Sequence, residues 1–152
     1  MQTLKNLVCS LFKPEILATI AALAGVAYQV HHSNESGKLN TSITLYDSYL
    51  ELAFENPKFA FGRNGSLTKE DDNTSYQWYV ARLLFSAESI MSLKLDDETK
   101  AEWEATLKAQ IMYHLDYINS QEFADAEGHY SKEVLRLIDA ANKVAQSSSI
   151  TE

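Results

Sequence analysis

The sequence predicts an all-α protein in which an N-terminal amphipathic and transmembrane helix is followed by a small antiparallel helical bundle. Three observations carry this. Only five Gly and two Pro fall among 152 residues, so long helices meet few compulsory breaks. Ile16–Val30 is an apolar run without one charge, fenced by Lys13-Pro14-Glu15 and His31-His32. Beyond it, apolar residues recur at steps of three and four in successive segments, and no alternating β-meander pattern appears.

Residues 1–13 read as an amphipathic interfacial segment. Leu4, Leu7, Val8, Leu11 and Phe12 share one helix face, with Gln2, Lys5, Asn6 and Cys9 opposite. Beside a membrane span this face lies in the interface, with Lys5 and Lys13 near headgroups; the competing reading is the n-region of a secretion signal. Pro14 suits the first turn of the next helix, where a missing N–H costs nothing, and Glu15 complements the positive helix end. Residues 14–32 are the expected transmembrane helix. Its apolar part is shorter than the roughly 20 residues a span needs, and Pro14–His32 approaches that length only if the flanking polar groups snorkel. A buried Ala-rich helix in a soluble oligomer is the alternative. Ala18 and Ala22, and Ala21 and Gly25, stand four apart and give a smooth face for helix packing in the membrane.

Residues 33–38, SNESGK, form the expected linker, 39–145 the bundle domain and 146–152 a flexible tail. The first bundle helix carries Leu39, Ile43, Tyr46, Leu50, Ala53 and Phe54 on one strip and Leu45, Tyr49 and Leu52 on a second, so it should touch neighbours on both sides. Asn56-Pro57 stops it, because proline pushes its predecessor out of α geometry. Lys58–Asp72 reads as the longest irregular stretch. A helix follows Asp72-Asn73-Thr74, with Tyr76, Val80, Leu83, Ala87 and Ile90 on its inner stripe, and ends near Leu95. The next opens at Asp96 or Asp97 and turns Trp103, Leu107, Ile111, Leu115 and Ile118 inward. After a turn-rich Ser120–His129, the last starts near Ser131 and uses Val134, Leu137, Ile138, Ala141 and Val144.

Apolar content of 45% marks a globular chain rather than a disordered one. Residues 1–38 hold Lys5, Lys13 and Lys38 against Glu15 and Glu35, net +1, so the total of −8 leaves −9 on residues 39–152. An acidic domain without a basic stripe repels phosphate backbones, which argues against nucleic acid as a partner. Cys9 is the single cysteine and has no intramolecular partner. Leu7-Val8 before it are too large for a lipoprotein signal. Asn34, Asn40, Asn64 and Asn73 each open an N-x-S/T triplet, which matters only on a eukaryotic secretory route.

Chemistry-bearing patterns are few, and neither a cofactor nor a metal site is expected. Three residues before His31, His32, His114 and His129 stand Tyr28, Gln29, Ile111 and Ala126, so the Glu-x-x-His of di-metal bundles is absent. His114 and Asp116 point to different helix faces and make no ready acid–base pair. No catalytic residue emerges. Arg82 follows Trp78 and Tyr79 at helical neighbour spacing, which allows an anion clamp with aromatic walls, or a salt bridge to Asp47, Glu51 or Glu55.

The run from Trp103 through His114-Leu-Asp-Tyr-Ile-Asn-Ser-Gln-Glu-Phe123 to Tyr130-Ser131-Lys-Glu-Val, with Asn56-Pro57 after a helix, resembles a group of small bacterial membrane-anchored proteins. That resemblance implies one N-terminal transmembrane helix, an α-helical domain and no established activity. The group often reads His-Pro-Asp-Tyr where this chain has His114-Leu115-Asp116-Tyr117.

The reading that follows is a single-pass inner (cytoplasmic) membrane protein, tethered by residues 1–32, whose helical domain binds or organises a protein partner or a second copy without catalysis. Lys5 and Lys13 before the span against Lys38 after it place the N-terminus in the cytoplasm and the bundle outside. The alternative is a sensor holding a small ligand between Trp78, Arg82 and Trp103.

Overall fold

The computed structural model describes residues 14–63 and 70–149, and the amphipathic reading of 1–13 lies outside them. Among the described residues every regular element is helical: α1 (Pro14–Glu55), α2 (Glu70–Ser92), α3 (Asp97–Met112), the short α4 (Leu115–Ile118) and α5 (Gln121–Ala124), a 3₁₀ turn (Glu127–His129), and α6 (Lys132–Ser149). The chain divides into two compact units, Met1–Gly37 and Lys38–Glu152.

In the first unit the side chains from residue 21 to 37 are exposed, apart from half-buried Glu35. No helix among the described residues is long and apolar enough to cross a membrane. The helix expected over 14–32 forms, but Gln29, His31 and His32 dilute its apolar run, so a transmembrane helix is not shown. The side chain of Ala18 lies outside the described ones, while Ala21, Ala22 and Gly25 are exposed. The segment expected as a linker, 33–38, is helical, since α1 runs through it, and the division into two compact units falls inside it, after Gly37. Gly37 costs a helix only about 1 kcal/mol, and α1 continues through it.

In the second unit, α1 ends at Glu55 as Asn56-Pro57 requires, and the Asn56 side-chain amide donates to the Leu52 carbonyl (3.0 Å). α2 begins at Glu70, earlier than expected, and ends at Ser92 rather than Leu95. Asp96 caps α3: its carboxylate accepts from the Thr99 N–H (2.9 Å) and hydroxyl (2.7 Å), which hold it below the usual carboxylate range. α3 stops at Met112 instead of running to Ile118. The interruption at Tyr113-His114 re-aims the next turn, so that Tyr117 and Ile118 are both buried. α6 extends to Ser149, so much of the expected tail is helical.

Named contacts fix the sense of packing. Lys38 Nζ donates to the Lys94 carbonyl (2.6 Å), Arg82 to Ser48 (2.7 Å), and Phe59 packs on Tyr76, so α1 and α2 run antiparallel. Tyr76 reaches His114, and the short loop 93–96 joins the other ends, so α2 and α3 are antiparallel too. The connection then carries the chain back to Glu88, whose carboxylate accepts the Ser131 N–H (3.0 Å). From there α6 follows α3 in the same sense: Arg136 pairs with Glu104 (2.6 Å) and Asn142 with Asn119 (2.8 Å). The bundle is thus antiparallel over its first three helices and parallel at the last, because the long connection crosses the bundle before α6 begins.

The core is built from Val80, Leu83, Leu84 and Ala87 of α2, Leu107 and Ile111 of α3, and Val134, Leu137 and Ala141 of α6. Trp103 and Leu115 are only partly buried and Val144 is exposed. The second strip of α1 (Leu45, Tyr49, Leu52) packs on this core, as do Tyr46 and Ala53 of the first, whereas Leu39, Ile43, Leu50 and Phe54 stay exposed. α1 thus meets α2 through Arg82–Ser48 and Tyr49–Tyr79, and α3 through Tyr46–Trp103.

Candidate functional site

Trp78, Arg82 and Phe85 recur at i, i+4 and i+7 of α2, beside the stripe that enters the core, and so form one wall of a groove. Leu52 of α1 and Asn56 just beyond its end form the second wall, and His129 and Tyr130 of the connection close the end. The groove encloses about 630 Å³, within the 300–1,000 Å³ usual for ligand pockets. Its rim is aromatic and uncovered, with Trp78 73% and Phe85 58% exposed. Its floor is the rings of Phe59 and Tyr79, packed edge to face at 5.7 Å.

Arg82 is the cation of this wall. Its Nη2 donates to Ser48 Oγ (2.7 Å), a neutral hydroxyl, and the structure shows no ion pair from it to Asp47, Glu51 or Glu55 among the described residues. At the far end Glu88 is engaged by the Ser131 N–H, which ties α2 to the entry of α6.

Trp103 lies elsewhere. It packs edge to face on Tyr46 (5.4 Å) and lines a separate groove of about 310 Å³ between α1 and α3 with Leu39, Thr99, Glu102 and Thr106. The sequence-based trio is therefore split: Trp78 and Arg82 share a site, and Trp103 does not belong to it. Trp103 packs where α1 meets α3, whereas the groove lies between α1 and α2.

Beneath the first groove sits a polar network that periodicity did not reveal. The Tyr79 hydroxyl donates to Tyr49 (3.3 Å), and that of Tyr49 to Gln110 Oε1 (3.3 Å). Tyr76 shares a buried hydrogen bond of 2.8 Å with His114 Nδ1. Burial pushes the Tyr49, Tyr76 and Tyr79 hydroxyls above the usual phenol range and pushes His114 down to about 4, so the imidazole is neutral at pH 7. His114 Nε2 is buried with no hydrogen-bond partner. His114 lies in the break before α4 rather than on one helix with Asp116, and its Nδ1 is taken by Tyr76.

Arg63 closes the network on the other side. Its guanidinium lies 5.0 Å from the Tyr117 ring and 5.7 Å from Tyr76, and it pairs with Glu122, whose carboxyl it holds below the usual range. Gly62 makes this placement possible. It has φ +87° and lies against α3's end so closely that a Cβ there would stand 2.2 Å from the Tyr113 carbonyl oxygen. The available signals were weak: Tyr76 and Tyr79 at i, i+3 and a histidine on an apolar face look like ordinary core positions.

Chemically, the groove offers apolar aromatic contact and one guanidinium, while the titratable groups below it are buried and bonded to one another. No group of three or more His, Cys, Asp or Glu that could hold a metal occurs among the described residues. No known protein family, curated protein or solved structure matches the chain.

Proposed function

We propose that the chain is a membrane-associated helical interaction protein: the apolar run of its N-terminal unit attaches it to the inner membrane, and its bundle holds a segment of a protein partner in the Trp78–Arg82–Phe85 groove. The observation that carries this reading is the exposed aromatic rim. Trp, Tyr and Arg dominate the energetics of protein interfaces, and large exposed aromatic side chains clustered with a cation mark such surfaces. The fitting partner segment brings an apolar side chain to lie between Trp78 and Phe85 and a carboxylate to take the guanidinium donors that Ser48 leaves unused on Arg82. This reading assigns the bundle no catalysis.

Attachment is supported by Leu23, Val26 and Val30, apolar side chains that the described chain leaves exposed on α1. It also agrees with the architecture that the sequence resemblance implies. The N-terminus in the cytoplasm and the bundle outside follow from the lysine distribution.

Two experiments test the reading. The full chain is extracted from native membranes in mild detergent, and a protein recovered with it in fixed stoichiometry should be lost from Trp78→Ala/Phe85→Ala, with helical circular dichroism unchanged. Retention of that protein by the double variant would refute the groove as its site. For attachment, Leu23→Glu/Val26→Glu places two charges in the apolar run at about 2.5–3.5 kcal/mol each at a helix centre in lipid, and should move the chain into the soluble fraction. A wild-type chain already found there overturns the anchor.

A further inference from the structure

The groove that holds Trp103, apart from Trp78 and Arg82, has a chemistry of its own. Leu39 and Tyr46 of α1 stand across from Thr99, Glu102, Trp103 and Thr106 of α3 around about 310 Å³, at the lower end of the 300–1,000 Å³ usual for ligand pockets. Leu39 and Tyr46 lie two turns apart on one face of α1, and the α3 residues follow at helical neighbour spacing on one face of theirs. The Tyr46 and Trp103 rings are inclined at 71° with centroids 5.4 Å apart, and both line the groove. One cation can therefore lie within about 6 Å of both centroids, the reach of a cation–π contact.

The charge on this lining is negative. Glu102 is its single charged residue, is exposed, and makes no ion pair among the described residues. Lys38, the neighbour of Leu39 in the chain, donates to the Lys94 carbonyl (2.6 Å), and no Lys or Arg of the described residues lies over either ring. The −9 carried by residues 39–152 adds a field that draws cations toward the bundle and turns anions away.

Hydrogen-bond acceptors are scarce in the groove. The Thr99 hydroxyl is committed to Asp96 (2.7 Å) and the Tyr46 hydroxyl to Gln110, which leaves Glu102 and Thr106. A primary ammonium carries three N–H donors and would leave some unmet. An N-methylated ammonium carries none, and suits aromatic and aliphatic walls beside a negative charge. From this we infer that the Trp103 groove binds a small quaternary ammonium compound, whose methyl groups lie against Tyr46, Trp103 and Leu39 while Glu102 supplies the counter-charge. A carboxylate on the same ligand would be repelled by Glu102, so the class is a cation rather than a zwitterion. The site is separate from the Trp78 groove and does not depend on what that groove holds.

The test uses the full isotope-labelled chain in a maltoside detergent, which carries no ammonium group, with choline as the probe and dimethylbutanol as its uncharged carbon analogue. The two tryptophans give two indole N–H resonances, told apart by Trp103→Phe. Choline should shift that of Trp103 saturably, with a dissociation constant on the order of 1 mM, and leave that of Trp78 in place. Dimethylbutanol fills the same space without the charge and should bind on the order of tenfold more weakly. Glu102→Gln, at an exposed position, should weaken choline about two- to fivefold and leave dimethylbutanol unchanged. Choline binding should persist in Trp78→Ala/Phe85→Ala, which keeps this site apart from the partner groove. No saturable shift at Trp103, an equal shift at both tryptophans, equal binding of the uncharged analogue, or a Glu102→Gln variant as tight as wild type each overturns the proposal.

Discussion

Replacing His114 by phenylalanine should remove a defined share of the acid sensitivity of the fold. The buried imidazole stays neutral down to about pH 4 in the folded chain, against 6.5 for a free histidine. Between these two values the unfolded chain binds a proton that the folded chain refuses, so stability falls as pH drops through that window. Above 6.5 neither state carries the proton and the contribution is complete; below about 4 both carry it and nothing more is lost. At 1.36 kcal/mol per pKa unit the displacement is worth about 3 kcal/mol.

His114→Phe lacks this group but leaves the Tyr76 hydroxyl buried without its partner, at about 1–3 kcal/mol. The variant is therefore less stable at pH 7.5, and its deficit should shrink by about 3 kcal/mol on going to pH 4. His114→Phe/Tyr76→Phe removes the orphaned hydroxyl and isolates the titration. Urea unfolding followed by far-ultraviolet circular dichroism at pH 7.5, 6, 5 and 4 supplies the free energies. The carboxylates titrate alike in all three proteins and cancel in the differences. A gap between wild type and variants that stays constant across this range would refute the reasoning, as would an imidazole resonance of His114 that titrates near 6.5 in the folded chain.

Other substitutions probe the same frame. Gly62→Ala meets the Tyr113 carbonyl and a left-handed backbone together, and should cost about 2–4 kcal/mol in urea unfolding; a loss below 1 kcal/mol would mean that the turn relaxes freely. Leu107→Ala in the centre of α3 should cost about 2–5 kcal/mol, read as a lower urea midpoint at unchanged slope. Arg82→Ala, whose partner is an uncharged serine, should change stability by no more than about 0.5 kcal/mol while weakening partner capture. A large loss of stability with capture retained would make Arg82 a structural residue.

Much of the fold is legible in the sequence. Asn56-Pro57 and Asp96 act through backbone geometry and a single local hydrogen-bonding side chain, and the structure places helix boundaries at both. The inner stripes of α2 and α6 follow from periodicity, since burying one face of a helix needs no knowledge of what covers it. One expectation failed for a tertiary reason: α3 was expected to run on to Ile118, and it ends where Gly62 approaches Tyr113 and Tyr76 bonds to His114.

The sequence by itself determined the all-α class, the acidic character of the bundle, and a first bundle helix apolar on two sides. These depend on composition and on spacing along one chain. Only the tertiary structure decided that Trp78 and Arg82 share a groove while Trp103 packs on Tyr46 of α1, because the choice of packing partner assigns each face its neighbour. It also decided that Tyr76 meets His114 across 38 residues of chain, and that α6 runs with α3 rather than against it. Contacts between distant residues depend on which helices pack together and in what sense, and local periodicity carries no information about either.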